Sequence, residues 1–128
     1  MIVTDGVTIA ANTAAGTGGG ICCLAPTAGA DLLITESAVS GNTAGTGGGI
    51  YLLTNFGGAV TFLESRLSDN TAQSGESGSG GGLWFKNTAA DLPAVITLNG
   101  TEISHNTASS RGGGIAASGQ SRLTFLSG

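Results

Sequence analysis

With 128 residues, a net charge of −4 and only four Lys and Arg, the chain is long enough for one domain. It is too poor in basic residues to grip a phosphate backbone: Lys86, Arg66, Arg111 and Arg122 are scattered along the sequence, which argues against a nucleic-acid partner. Glycine supplies 24 residues, yet the mean hydropathy is +0.27, which excludes the polar composition of a disordered chain. No stretch of 18 apolar residues is present to form a transmembrane helix. The N-terminus has neither a charged n-region nor an apolar h-region, so an export signal would lie outside this chain.

Taken in chain order, the sequence repeats. The first copy runs Ile2, Thr4, Ile9, Asn12-Thr13-Ala14 and then Gly18-Gly19-Gly20-Ile21. The second runs Leu32, Ile34, Val39, Asn42-Thr43-Ala44 and Gly47-Gly48-Gly49-Ile50. The third runs Val60, Phe62, Leu67, Asn70-Thr71-Ala72 and Gly80-Gly81-Gly82-Leu83. The fourth runs Ile96, Leu98, Ile103, Asn106-Thr107-Ala108 and Gly112-Gly113-Gly114-Ile115, and a partial fifth restarts at Leu123 and Phe125. The Asn spacings are 30, 28 and 36 residues. A period near 30 with short period-2 runs and no helical periodicity specifies a β-solenoid. The expected fold is all-β: a right-handed parallel β-helix of about four coils plus a partial fifth, forming a single domain over residues 1–128.

Each coil is expected to hold three short strands, in the second coil about Leu32–Glu36, Ala38–Ser40 and Ile50–Leu53. Alternation sends Ile50 and Leu52 inward and Tyr51 outward. Inward columns then run Ile21, Ile50, Leu83, Ile115 and Cys23, Leu52, Phe85, Ala117, with Cys22 outward beside Cys23. Both cysteines are expected to be free thiols, because vicinal cysteines bridge only through a strained ring. Asn12, Asn42, Asn70 and Asn106 form the structural ladder, because an amide offers both donors and an acceptor where a bend breaks strand pairing. Asn also tolerates left-handed backbone, and the glycine triplets supply positive φ and close approach at the next corner. The segments Thr54–Ala59, Gln73–Ser79 and Lys86–Ala94 vary in length and read as loops.

These motifs resemble the repeats of bacterial surface β-helix proteins, the polymorphic outer-membrane proteins and similar autotransporter passengers. Those repeats carry Gly-Gly-Ala-aliphatic and Phe-x-x-Asn. The matches here are Gly48-Gly49-Ile50 and its counterparts, with Ile9, Val39, Leu67 and Ile103 three residues before the Asn. Gly stands where that family has Ala, and aliphatics where it has Phe. The resemblance implies an extracellular or cell-surface structural or adhesive module without catalysis. The barrel anchor of that family has no counterpart in these residues.

Several constellations could carry chemistry. Glu36 and Glu64 share a register and would stack outward on adjacent coils, the weak candidates for a metal contact or for acid–base work. Arg66 and Glu102 share a register and are expected to form an ion pair. Asp69 and His105 could meet across two coils, but no nucleophile elbow accompanies them. Three acids with a basic residue in one groove would favour a polysaccharide-degrading enzyme, and the sequence shows no such cluster. Tyr51 and Trp84 should lie side by side on the outer surface as a possible glycan contact, unless flanking loops cover them. Thr13, Thr43, Thr71 and Thr107 make a column too narrow for an ice-ordering face. Asn99-Gly100-Thr101 matches a glycosylation sequon. No cofactor is expected. The expected partners are surface glycans, host proteins, or a second copy end to end. Ile2, Leu123 and Phe125 stand at core positions with no cap beyond them, so the domain is expected to be part of a longer solenoid or, the self-assembling alternative, to dock end to end.

Overall fold

The computed structural model describes residues 1–25, 31–55, 58–74 and 78–126. Among them there is no helix, and every strand pairing is parallel. The chain is a parallel β-solenoid of about four turns. The first face stacks β1 (Ile2–Val3), β4 (Leu32–Thr35), β8 (Ala59–Leu63), β12 (Ala94–Asn99) and β16 (Ser121–Leu126). The second stacks β2 (Thr8–Ala10), β5 (Ala38–Ser40), β9 (Arg66–Ser68) and β13 (Glu102–Ser104). The third holds β6 (Thr43–Ala44), β10 (Thr71–Ala72) and β14 (Thr107–Ala108). The fourth stacks β3 (Ile21–Ala25), β7 (Ile50–Thr54), β11 (Leu83–Asn87) and β15 (Ile115–Gly119).

The expected registers are present, although Ala117, expected in the core, is exposed in the last full coil. Ile21, Ile50, Leu83 and Ile115 are registered partners, as are Cys23, Leu52, Phe85 and Ala117. A single apolar core runs up the axis, with Phe62, Phe85, Leu32, Ile34 and Leu67 closed to solvent. No coil could bury this surface alone, so the stacking itself supplies the hydrophobic stabilisation.

Two features differ from expectation. The third face adds an isolated bridge at Thr13 in the first coil and, in the second, third and fourth coils, a fourth strand. Its two residues are a buried Ala and an outward Thr, so Ala44 and Ala72 enter the core while the Thr column faces out. The first coil is also shifted by one residue. Ile2 pairs with Leu33 and Val3 with Ile34. Val3 therefore takes the core position at 6% exposure, and Ile2 is 72% exposed. The cause lies in the bend that follows. Gly6 and Glu36 are bonded neighbours at that corner. The first coil spends one extra residue there, with Asp5 and Gly6 both at positive φ where the second coil needs only Glu36. Leu123 and Phe125 do hold the core register opposite Ile96 and Leu98, but at 42% and 69% exposure they are not buried.

Residues 56–57 of Thr54–Ala59 and 75–77 of Gln73–Ser79 lie outside the described residues. Of the third variable segment, Lys86 and Asn87 belong to β11, and the loop proper is held by Asn87. The Asn87 amide donates to the carbonyls of Leu92 and Gln120, and its Oδ1 accepts from Ala89 N.

Candidate functional site

The corner between the second and third faces is organised by asparagine. Asn42 and Asn70 are fully buried. Asn42 donates through both its backbone N and its Nδ2 to Asn70 Oδ1, each at 3.0 Å, and Nδ2 also donates to Ile9 O. Asn70 repeats the pattern toward Asn106 Oδ1 and Val39 O. Asn12 donates to Asn42 Oδ1 in the same way, and Asn106 Nδ2 closes on Leu67 O. Each buried amide is thus saturated, and no buried side-chain N or O among the described residues lacks a partner. The left-handed residue at this bend is not the Asn. It is the residue before it: Ala11, Gly41, Asp69 and His105 all have positive φ. Asp and His tolerate that region better than branched residues do. This explains why Asp69 and His105 share a register, and the only ion pair among the described residues is elsewhere.

A second ladder occupies the bend between the first and second faces. Val7 N donates to Ser37 Oγ, Ser37 N to Ser65 Oγ, and Ser65 N to Thr101 Oγ1. The hydroxyls donate in turn to backbone carbonyls, Ser37 to Thr35 O, Ser65 to Leu63 O and Thr101 to Asn99 O. The sequence signal was available, since these residues stand five before each Asn. The Thr of the Asn99-Gly100-Thr101 sequon is therefore engaged in the bend.

Outside this bend lies a groove of about 510 Å³, lined by Glu36, Glu64, Arg66 and Glu102 together with Gly6, Ser37 and Gly100. Glu36 and Glu64 stand at its left-handed corner positions, in register with Gly6 and Gly100. Contrary to the expectation that no groove gathers three acids with a basic residue, this groove has that composition. Arg66 and Glu102 sit two residues beyond the Glu register on the next strand, and the solenoid brings both columns to one depression. The expected Arg66–Glu102 ion pair is formed at 3.1 Å, with both side chains more than half exposed. A hydrogen bond from Ser104, then the Arg66 charge, hold the Glu102 carboxyl below the usual carboxylate range. No group of three His, Cys, Asp or Glu among the described residues is arranged to hold a metal ion.

The fourth face carries the aromatic pair on its outer side. Tyr51 and Trp84 are registered partners, and their rings stack with centroids 4.4 Å apart and planes 9° from parallel. Both are half-buried. Their separation nearly equals the spacing of neighbouring strands, so the ring planes lie across the solenoid axis, not flat on its surface. A tangential platform is thus replaced by a two-ring stack whose outer faces look along the column, toward Cys22 on one side and Ala116 on the other. Burial, then the nearby Cys22 thiol, push the Tyr51 phenol above its ordinary pKa. Cys22 is exposed and contacts Thr17 Oγ1 at 3.6 Å, while Cys23 packs on the core beside Met1. Both thiols are free, and burial raises that of Cys23.

Comparison with protein-family models, curated proteins and solved structures returned no match to this chain.

Proposed function

We propose that the chain is a structural and adhesive β-solenoid module, displayed outside the cell or at its surface, that meets saccharides through Tyr51 and Trp84. The observation that carries this reading is the in-register ring stack on the outer side of the fourth face. The core is complete beneath it in Ile50, Leu52, Leu83 and Phe85, and the two large rings lie outside that core, partly exposed. Aromatic faces and edges suit the apolar C–H faces of sugar rings. The internal hydrogen-bonded ladders make the body a stiff support for such a patch. The motif resemblance to surface β-helix repeats supports the same assignment. On a glycan array the protein binds a subset of saccharides, and Trp84→Ala abolishes that signal while leaving the melting temperature within a few degrees. A blank array, or binding untouched by the substitution, would overturn the reading.

A polysaccharide-degrading reading is favoured by one specific observation, the groove with Glu36, Glu64, Glu102 and Arg66. Against it, Arg66 is already neutralised by Glu102, and that pair is solvent-exposed. The adhesive reading expects no turnover of pectin, alginate or chitin-type polymers. Turnover abolished by Glu36→Gln or Glu64→Gln would replace it with the enzymatic one.

A further inference from the structure

We infer that the ring stack forms one wall of a slot that takes an acidic saccharide, a sugar bearing a carboxylate or sulfate, at Trp84. This rests on the saccharide-binding reading above and names the ligand class of the same site.

The slot follows from the column Cys22, Tyr51, Trp84, Ala116. One face of Trp84 is closed by Tyr51. The other looks toward the next coil, where the partner is Ala116, whose side chain ends at Cβ. The Trp84 face is therefore walled at its foot and open above it. No cation–π contact or further ring occupies that face among the described residues.

The charge comes from the neighbouring columns. Lys86 lies two residues beyond Trp84 on β11, on the same outer face and about 7 Å along the strand. Arg111 lies on the other side. The backbone bonds of Gly18 to Thr46, Gly47 to Ser79 and Gly80 to Arg111 align Thr17, Thr46, Ser79 and Arg111 in one column. Thr17 and Cys22 show that this column touches the ring column, since their side chains meet at 3.6 Å. By the same register Arg111 occupies the position beside Ala116, next to the coil that the outer face of Trp84 looks toward. Two of the chain's four basic residues thus flank one ring. Among the described residues the ion pair is Arg66 with Glu102, and neither Lys86 nor Arg111 pairs with a described carboxylate. The lining acids Glu36, Glu64 and Glu102 belong to the other groove, at the bend of the first and second faces. In an acidic chain, this is where a basic pair meets an uncovered aromatic face. A pyranose on the Trp84 face would place an equatorial carboxylate or sulfate within reach of the ammonium and the guanidinium, whose charge-assisted hydrogen bonds are strongest to such groups.

The test is calorimetric titration of the intact chain with oligogalacturonate and with neutral cello-oligosaccharides of equal length, at low and high salt. The acidic oligomer should bind roughly tenfold tighter, with the advantage lost in Lys86→Gln/Arg111→Gln and suppressed by salt. Ala116→Phe should block binding by filling the slot. That position lies in the same outer column as Tyr51 and Trp84, so the substitution leaves the melting curve intact. Equal affinity for both oligomers, unaffected by the charge substitutions but lost in Trp84→Ala, would overturn the acidic-ligand inference and leave saccharide binding standing. Binding unchanged by Ala116→Phe would overturn the slot. Binding of neither oligomer would overturn the inference, and a blank glycan array would then remove the broader reading as well.

Discussion

Gly49 and Asn70 sit on adjacent coils with no room for a methyl group between them: a β-carbon on Gly49 would lie 2.9 Å from Asn70 Cγ and 2.7 Å from Gly82 O. Gly20 stands in the same relation to Asn42, whose Nδ2 would be 3.0 Å away. The glycine triplets and the asparagines are therefore one device. The first glycine turns the chain, as Gly47 does at φ 63°, and the third clears what it faces, an Asn amide of the adjacent coil at Gly20 and Gly49 and the side chains of Leu67 and Ile103 at Gly82 and Gly114. Gly49→Ala should cost about 1–3 kcal/mol by forcing backbone and amide apart. Thermal denaturation checks it, and an unchanged melting temperature would mean the coils can part at that corner without loss.

Asn70→Ala removes an amide while Asn42 N, Asn42 Nδ2 and Val39 O remain buried. The expected loss is about 1–3 kcal/mol, from the donors and acceptor left unsatisfied. Asn12→Ala, at the exposed first position of the ladder, should cost less. Chemical denaturation of the two variants side by side tests the order. Equal losses would show that burial does not govern the ladder.

Glu64 holds a left-handed conformation at φ 47°, in register with Gly100 at φ 55°. A non-glycine residue pays about 1 kcal/mol or more there. Glu64→Gly should hold or raise the melting temperature, while Glu64→Val should lower it. A large loss in the glycine variant would show that the Glu side chain contributes more to folding than its backbone costs.

The Tyr51 phenol has its folded pKa raised, by burial first and the Cys22 thiol second. Its contribution to stability is fully present below the ordinary phenol value and is lost as pH rises through the raised folded value. Absorbance titration of the single tyrosine should give a midpoint above that of the denatured chain, and Cys22→Ser should move it back part of the way. A midpoint no higher than in the denatured chain would contradict the environment described for the ring.

Much of this was legible beforehand. The core columns follow from strict alternation, as with Ile50, Tyr51 and Leu52, and the ladder from Asn positions that survive changes in coil length. What escaped detection had specific causes. Thr43–Ala44 is too short to show a period. The extra residue Asp5 is invisible because it precedes Asn12, the first of the ladder, so no Asn spacing spans it. The left-handed residue was misplaced by one, since Asn and its predecessor are both plausible. The common groove of Glu64 and Arg66 needed the path of the bend, and the orientation of the Trp84 ring needed its side-chain torsions. Register alone says only that Tyr51 and Trp84 are neighbours.

The Asn bonds span 30, 28 and 36 residues, yet their lengths stay between 2.9 and 3.0 Å from coil to coil. The stack therefore does not count residues; each turn is rephased at its amide and its glycines, and whatever the chain does in between is forgotten by the next turn. Insertions between those checkpoints spend only loop-closure entropy, which grows slowly with length. Such a body can change its outer segments one at a time without any change propagating along the axis, so its surface is free to diversify while its interior stays the same.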